Sequence, residues 1–205
     1  MRVVDPFLAE WPDVELDVTT AFQFGGLAAI LGHEIDILVT PDPVERPGLE
    51  YTPVFDYELV LAVAETHPLA DKQWAAPEDL ASETLITYPV SRERLDIYTR
   101  FLVPAHALPR RHRTVETPDL MLRLVASGLA VSPTPDWLLP GAKGVTAVRL
   151  GGGIATSIPL GRRPGKTASY LAAFIPRSKA VHISNAAALA ALVLRFLRHA
   201  SAERR

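Results

Sequence analysis

Apolar residues recur along the chain with two periods, and the first is helical. Val3, Val4, Phe7, Leu8 and Trp11 fall at i, i+1, i+4, i+5 and i+8, which predicts a helix through Glu10 stopped by Trp11-Pro12. Val14 to Val18 then alternates as a strand does, Gly26 to Leu31 reads as a short helix, and Ile35 to Val39 as a buried strand, which together make a β-α-β unit. Leu49 to Ala64 predicts one or two further strands broken near Phe55-Asp56, and His67-Pro68-Leu69-Ala70 turns the chain. A second set follows. Leu85 to Tyr88 is a strand, Ser91 to about Val103 a helix, and Arg113-Thr114-Val115 a strand.

The next helix carries clear end signals, with Thr117 as N-cap, Pro118 in the first helical position, Asp119 at the positive end and Ser127-Gly128 as terminus. Leu120, Met121, Leu124 and Val125 are its predicted apolar face. Val145 to Leu150 and Ser169 to Ile175 predict later strands, with GGGIATSIPLGRRPGK a loop between them. A terminal helix is predicted behind Ser184, because Leu189, Leu192, Val193, Phe196 and Leu197 repeat at helical spacing. The alternation is that of an α/β fold in two subdomains.

Composition narrows the functions open to such a fold. The 205 residues are 48% hydrophobic, enough to bury a sizeable core, and 21 Lys+Arg stand against 23 Asp+Glu for a net charge of −2. No broad basic surface is available, so nucleic-acid binding by this segment is not expected. Cysteine is absent, which excludes disulfides, thiolate metal sites and cysteine nucleophiles. No apolar run reaches the ~18–20 residues of a membrane span, and MRVVDPFLAEWP lacks the charged head and apolar core of a signal peptide. A cytoplasmic location is expected.

Familiar catalytic patterns are missing: there is no GxSxG, GxxxxGK[ST], HExxH or GxGxxG. The six histidines stand singly without metal-ligand spacing, so neither a catalytic residue nor a metal or cofactor site is assigned. Gly151-Gly152-Gly153 could cradle an anion, although a turn in a loop is the commoner use of such a run. YPVSRERLDIYTRFL raises a sharper question, because Arg92 and Arg94 would sit in the first turn of its helix, where a cation is unfavourable unless an anion is near. With Leu95, Tyr98, Phe101 and Leu102 forming the apolar face, Arg94 is the arginine turned inward. Two partners remain open: an internal carboxylate from Glu93, Asp96 or Glu116, or the anionic group of a ligand.

The same stretch carries a resemblance. FLAEWPDVELDV, LGHEIDILVT, GLEYTPVFDYELVLAV followed by HPLA, EDLASETLITYPVSRERLDIYTRFL and LVASGLAVSPTPDW together resemble the effector-binding domain of LysR-type transcriptional regulators. EDLASETLITYPVSRERLDIYTRFL is most like the homocysteine-responsive branch that controls methionine biosynthesis. The resemblance implies a two-subdomain fold of the periplasmic-binding-protein type (type 2), with residues 1–68 and about 178–205 in one subdomain and about 69–177 in the other. It also implies a small effector, homocysteine, held between the subdomains, a homodimer or homotetramer, and no catalysis. The effector contacts it implies are Thr19, Thr20, Phe22, Phe24, Thr40, Tyr88 and Arg94. In the family a winged helix-turn-helix and a linker helix come first, whereas Met1 aligns within the first helix of the effector domain; the chain is expected to be N-terminally truncated, with DNA contacted only through the absent part. Two rivals predict features of their own. A free-standing amino-acid-binding protein would carry a secretory signal, and an α/β enzyme a convergent base, nucleophile or metal set.

Overall fold

The computed structural model describes residues 4–19, 26–40, 43–165 and 193–198. The chain forms two compact units, Met1–Asp56 with Ser157–Arg205, and Tyr57–Thr156. It passes from one to the other within two long strands, β3 (Glu50–Ala64) and β8 (Val145–Arg162). The divisions implied by the resemblance fall after residue 68 and near residue 177, the latter outside the described residues.

In the first unit, α1 (Val4–Glu10) stops at Trp11 as the Trp-Pro pair predicts, and β1 (Val14–Thr19), α2 (Gly26–Leu31) and β2 (Ile37–Val39) form the expected β-α-β unit. β1 and β2 each run antiparallel to β9 (Val193–Arg198), which lies between them, so the two are parallel to each other. That pairing corrects the predicted terminal helix over 193–197. A short apolar run satisfies either period, and here the open ladder between β1 and β2 takes it as a strand. Ser184, Leu189 and Leu192, and the predicted strand Ser169 to Ile175, lie outside the described residues. The core of this unit gathers Ala29, Ile30, Ile35 and Leu38, and a Cβ at Gly26 would collide with Leu38, so glycine lets α2 approach β2.

Arg163, just past β8, fastens that crossover. Its guanidinium donates to the carbonyl oxygens of Ile30 and, at 2.7 Å, of Ile35, while Nη2 meets Asp36 Oδ1 at 3.1 Å. A cation thus adds a donor to the Ile30 carbonyl in the last turn of α2, which also accepts from the His33 N–H, and to the Ile35 carbonyl beyond the helix.

In the second unit β3 is one unbroken strand, which removes the predicted break near Phe55-Asp56. Its residues Leu59–Ala62 pair antiparallel with β7 (Ser132–Pro135), whose two prolines donate nothing to the ladder. β4 (Trp74–Ala75) pairs parallel with Arg149–Leu150 of β8, and β5 (Thr84–Thr87) pairs parallel with β6 (Arg111–Thr114). α3 (Pro118–Ala126) has the predicted Thr117 cap position, Pro118 start and Ser127 end, with Gly128 at φ 69°. Met121 and Val125 are buried against Ala62, Ile86, Ala130 and Val145, but Leu120 is half exposed, so the predicted face is narrower than drawn. Among the described residues no helix is long and apolar enough to cross a membrane.

The stretch GGGIATSIPLGR, residues 151–162, is the later part of β8 and not a loop. Glycine is what permits this: Gly151 and Gly153 take φ of 54° and 101° without ending the strand, and a Cβ at Gly153 would lie 2.6 Å from Arg149 Nη2. Gly153→Ala should therefore lower stability by ~1–3 kcal/mol in urea titration, whereas Gly152→Ala, whose Cβ meets nothing within 4 Å, should change it far less. Arg163→Ala should cost ~2–3 kcal/mol through lost charge-assisted hydrogen bonds, and Arg163→Lys should recover only part of that in the same titration.

Candidate functional site

The sequence YPVSRERLDIYTRFL folds differently from its prediction. Ser91 caps a single 3₁₀ turn, Arg92–Arg94; Leu95 then turns extended, at φ −104° and ψ 116°, and ends it. A π-helix, Ile97–Leu102, begins afterwards, with the Val103 N–H donating to the Tyr98 carbonyl five residues back at 2.9 Å. The predicted continuous helix from Ser91 to Val103 is thus two pieces. Ile97, Tyr98, Phe101 and Leu102 are buried, close to the expected apolar face, because extended Leu95 resets the phase before the wide turn starts. Wide π turns in proteins occur disproportionately at functional sites.

This break moves the arginines. Arg94 is exposed and not inward, and Arg92 lies over the Tyr98 ring with its guanidinium carbon 5.2 Å from the centroid. The first-turn cations therefore stand on a separate turn and not at the π-helix N-terminus, which removes the electrostatic conflict that the sequence posed. Asp96, one of the carboxylates considered for Arg94, instead pairs with Arg100 at 3.5 Å. Arg100 also donates from Nη1 to the Ala155 carbonyl of β8 at 2.9 Å.

Around these groups the second unit collects hydroxyls. Tyr57 of β3 is buried and hydrogen-bonded to Thr156 of β8; burial, with Asp96 next, pushes its phenol well above the ordinary range. Tyr88 follows β5, packs against the Met121 and Val125 core, and is pushed up to about 12 by burial. It also lines a small apolar hollow with Pro118, Met121, Leu122, Pro133, Thr134, Pro135 and Leu138. Neither phenol ionises near neutral pH, so both act as hydroxyl donors and acceptors.

Of the expected effector contacts, Tyr88 and Arg94 belong to the second unit. Thr19 ends β1 opposite Val193, and half-buried Thr40 follows β2 and donates its N–H to the Pro159 carbonyl at 3.2 Å, both in the first unit. Thr20, Phe22 and Phe24 lie outside the described residues. Tyr57, Arg100 and Thr156 were not singled out by the sequence, and Asp96 was considered only as a partner for Arg94. Asp96 and Arg100 were legible as an i, i+4 charge pair beside an apolar face, whereas Tyr57 and Thr156 come together only through the paths of β3 and β8. Among the described residues no group of three or more His, Asp or Glu is placed to hold a metal.

His112 has a packing role that spacing could not show. Its Nε2 lies 2.8 Å from Thr87 Oγ1, and because that hydroxyl donates to the Tyr88 carbonyl at 3.1 Å, the imidazole is the donor. Its ring meets Tyr98 edge-on at 5.3 Å.

With this geometry in place, comparison with known proteins is decisive. Residues 1–181 match the family described as the LysR substrate binding domain. The chain belongs to that family. The HTH-type transcriptional regulator MetR of Salmonella typhimurium is 41% identical over 136 residues, which are 66% of this chain and 43% of that regulator. The chain therefore matches less than half the length of this relative. The regulatory domain of NMB2055 (MetR), a LysR family regulator from N. meningitidis, superposes with a TM-score of 0.72 at 30% identity, covering 96% of this chain and 90% of that one. The Synechocystis PCC6803 CcmR regulatory domain, solved in complex with 2-PG, shares the fold with a TM-score of 0.75 at 22% identity. The LysR-type effector domain here is MetR-like, with the α/β fold of type 2 periplasmic binding proteins.

His112 makes the LysR-type domain sensitive to acid. Burial, and then Arg92, hold its pKa below the ordinary 6.5. A depressed histidine contributes stability that is fully present above 6.5 and is lost as pH falls through the folded value, because the unfolded chain binds the proton first. The melting temperature should fall between pH 7.5 and 5, and less steeply in His112→Gln, which keeps a donor for Thr87. Parallel slopes in scanning calorimetry would remove His112 from the account.

Proposed function

We propose that this chain is the effector-sensing part of a transcription regulator of methionine biosynthesis genes, that it responds to homocysteine, and that it performs no catalysis. The observation that supports this most is the match to the MetR regulatory domain across 96% of the chain. In this reading DNA is contacted by a helix-turn-helix segment like that named in the curated relatives, the regulator is a cytoplasmic homodimer or homotetramer, and effector binding biases its geometry by population shift. Tyr88 and Arg94 are the effector contacts assigned to the second unit.

Titration calorimetry of the purified chain with homocysteine tests the proposal. Saturable binding with a Kd between about 1 μM and 1 mM is expected, with no comparable heat from an uncharged thiol. A folded chain that stays silent at ~10 mM homocysteine, about tenfold above the weakest of those Kd values, would overturn the effector assignment.

A further inference from the structure

The ion pair at the start of the π-helix keeps unusual company. Asp96 and Arg100 are each more than a third exposed at the side chain, as an ordinary surface pair would be. This pair is also tied to β8: Arg100 donates to the Ala155 carbonyl at 2.9 Å, and the next residue, half-buried Thr156, is hydrogen-bonded to buried Tyr57. Gly151 of the same strand lies close enough to the π-helix that a Cβ there would meet Phe101 at 3.4 Å. β8 is thus laid against the wide turn, and one carboxylate, one guanidinium and two hydroxyls are brought together within one unit.

We propose that Asp96 and Arg100 form a zwitterion-reading site for a small α-amino acid, Asp96 receiving the ammonium and Arg100 the carboxylate. The chemistry selects the α-arrangement. One carbon separates the two charges of an α-amino acid, and 3.5 Å separates Asp96 from Arg100, so ligand and pair close into a ring of four alternating charges. An acid lacking the amine, or an amine lacking the acid, leaves one protein charge unanswered. The inference deepens the effector reading and rests on it, while naming residues which that reading does not.

Calorimetry with three probes tests it on the chain as it stands: homocysteine, 4-sulfanylbutanoic acid, which lacks the ammonium, and 3-aminopropane-1-thiol, which lacks the carboxylate. The wild type should bind each truncated probe at least about tenfold more weakly than homocysteine. Asp96→Asn should lose about tenfold for homocysteine and cease to discriminate against the acid; Arg100→Gln should cease to discriminate against the amine. Unchanged melting temperatures would show that the variants are folded. Homocysteine binding that both charge variants leave intact would overturn this inference and spare the effector reading. Silence towards homocysteine with binding of another α-amino acid that Asp96→Asn abolishes would do the reverse, and silence towards all α-amino acids would overturn both.

Discussion

Continuity of two backbone strands is the constraint on which the rest depends. β3 and β8 run for 15 and 18 residues and each has residues in both compact units, with β8 supplying ladder partners in both. A strand that long must absorb changes of twist without surrendering its hydrogen bonds. β8 does so at Gly151 and Gly153, where positive φ is tolerated, and stays paired on either side: with β4 at Arg149–Leu150 and with β2 at Leu160–Arg162. Everything placed in the second unit by Ala155 and Thr156 depends on that continuity.

The early part of the fold was legible because its signals are local. Trp11-Pro12 stops α1, and Thr117-Pro118 with Gly128 brackets α3, through backbone chemistry that acts within a few residues. The resemblance placed the family correctly, since the stretches that carry it lie in these ordered elements. β8 was misread because glycine, arginine and proline in series ordinarily announce a turn; a strand held by partners distant in sequence overrides them. The same holds for residues 193–198, whose pattern suits a helix until a vacant ladder between two strands is known.

The candidate site was half legible for a related reason. Charge and apolar spacing correctly marked YPVSRERLDIYTRFL as unusual, but they assumed a uniform 100° per residue. One extended residue, Leu95, breaks that assumption, so the arginine expected inside is outside and the following pair, Asp96 with Arg100, faces β8. Tyr57 could not be found from periodicity, because its hydroxyl matters only beside a residue almost a hundred positions away. His112 was set aside as structural, and its contacts with Thr87 and Tyr98 agree with that.

β6 shows how the fold guards an edge. Among the described strands it pairs only with β5, so its outer row of N–H and C=O groups is open to another chain, and Arg111 and Arg113 stand exposed along it with Arg110 just before. Two such edges brought together would set guanidinium against guanidinium. Their repulsion acts over about 8–10 Å at physiological ionic strength and fades in concentrated salt. The strand that holds His112 thus carries like charges along the edge that no described strand covers, which disfavours edge-to-edge pairing of β6 with a second β6.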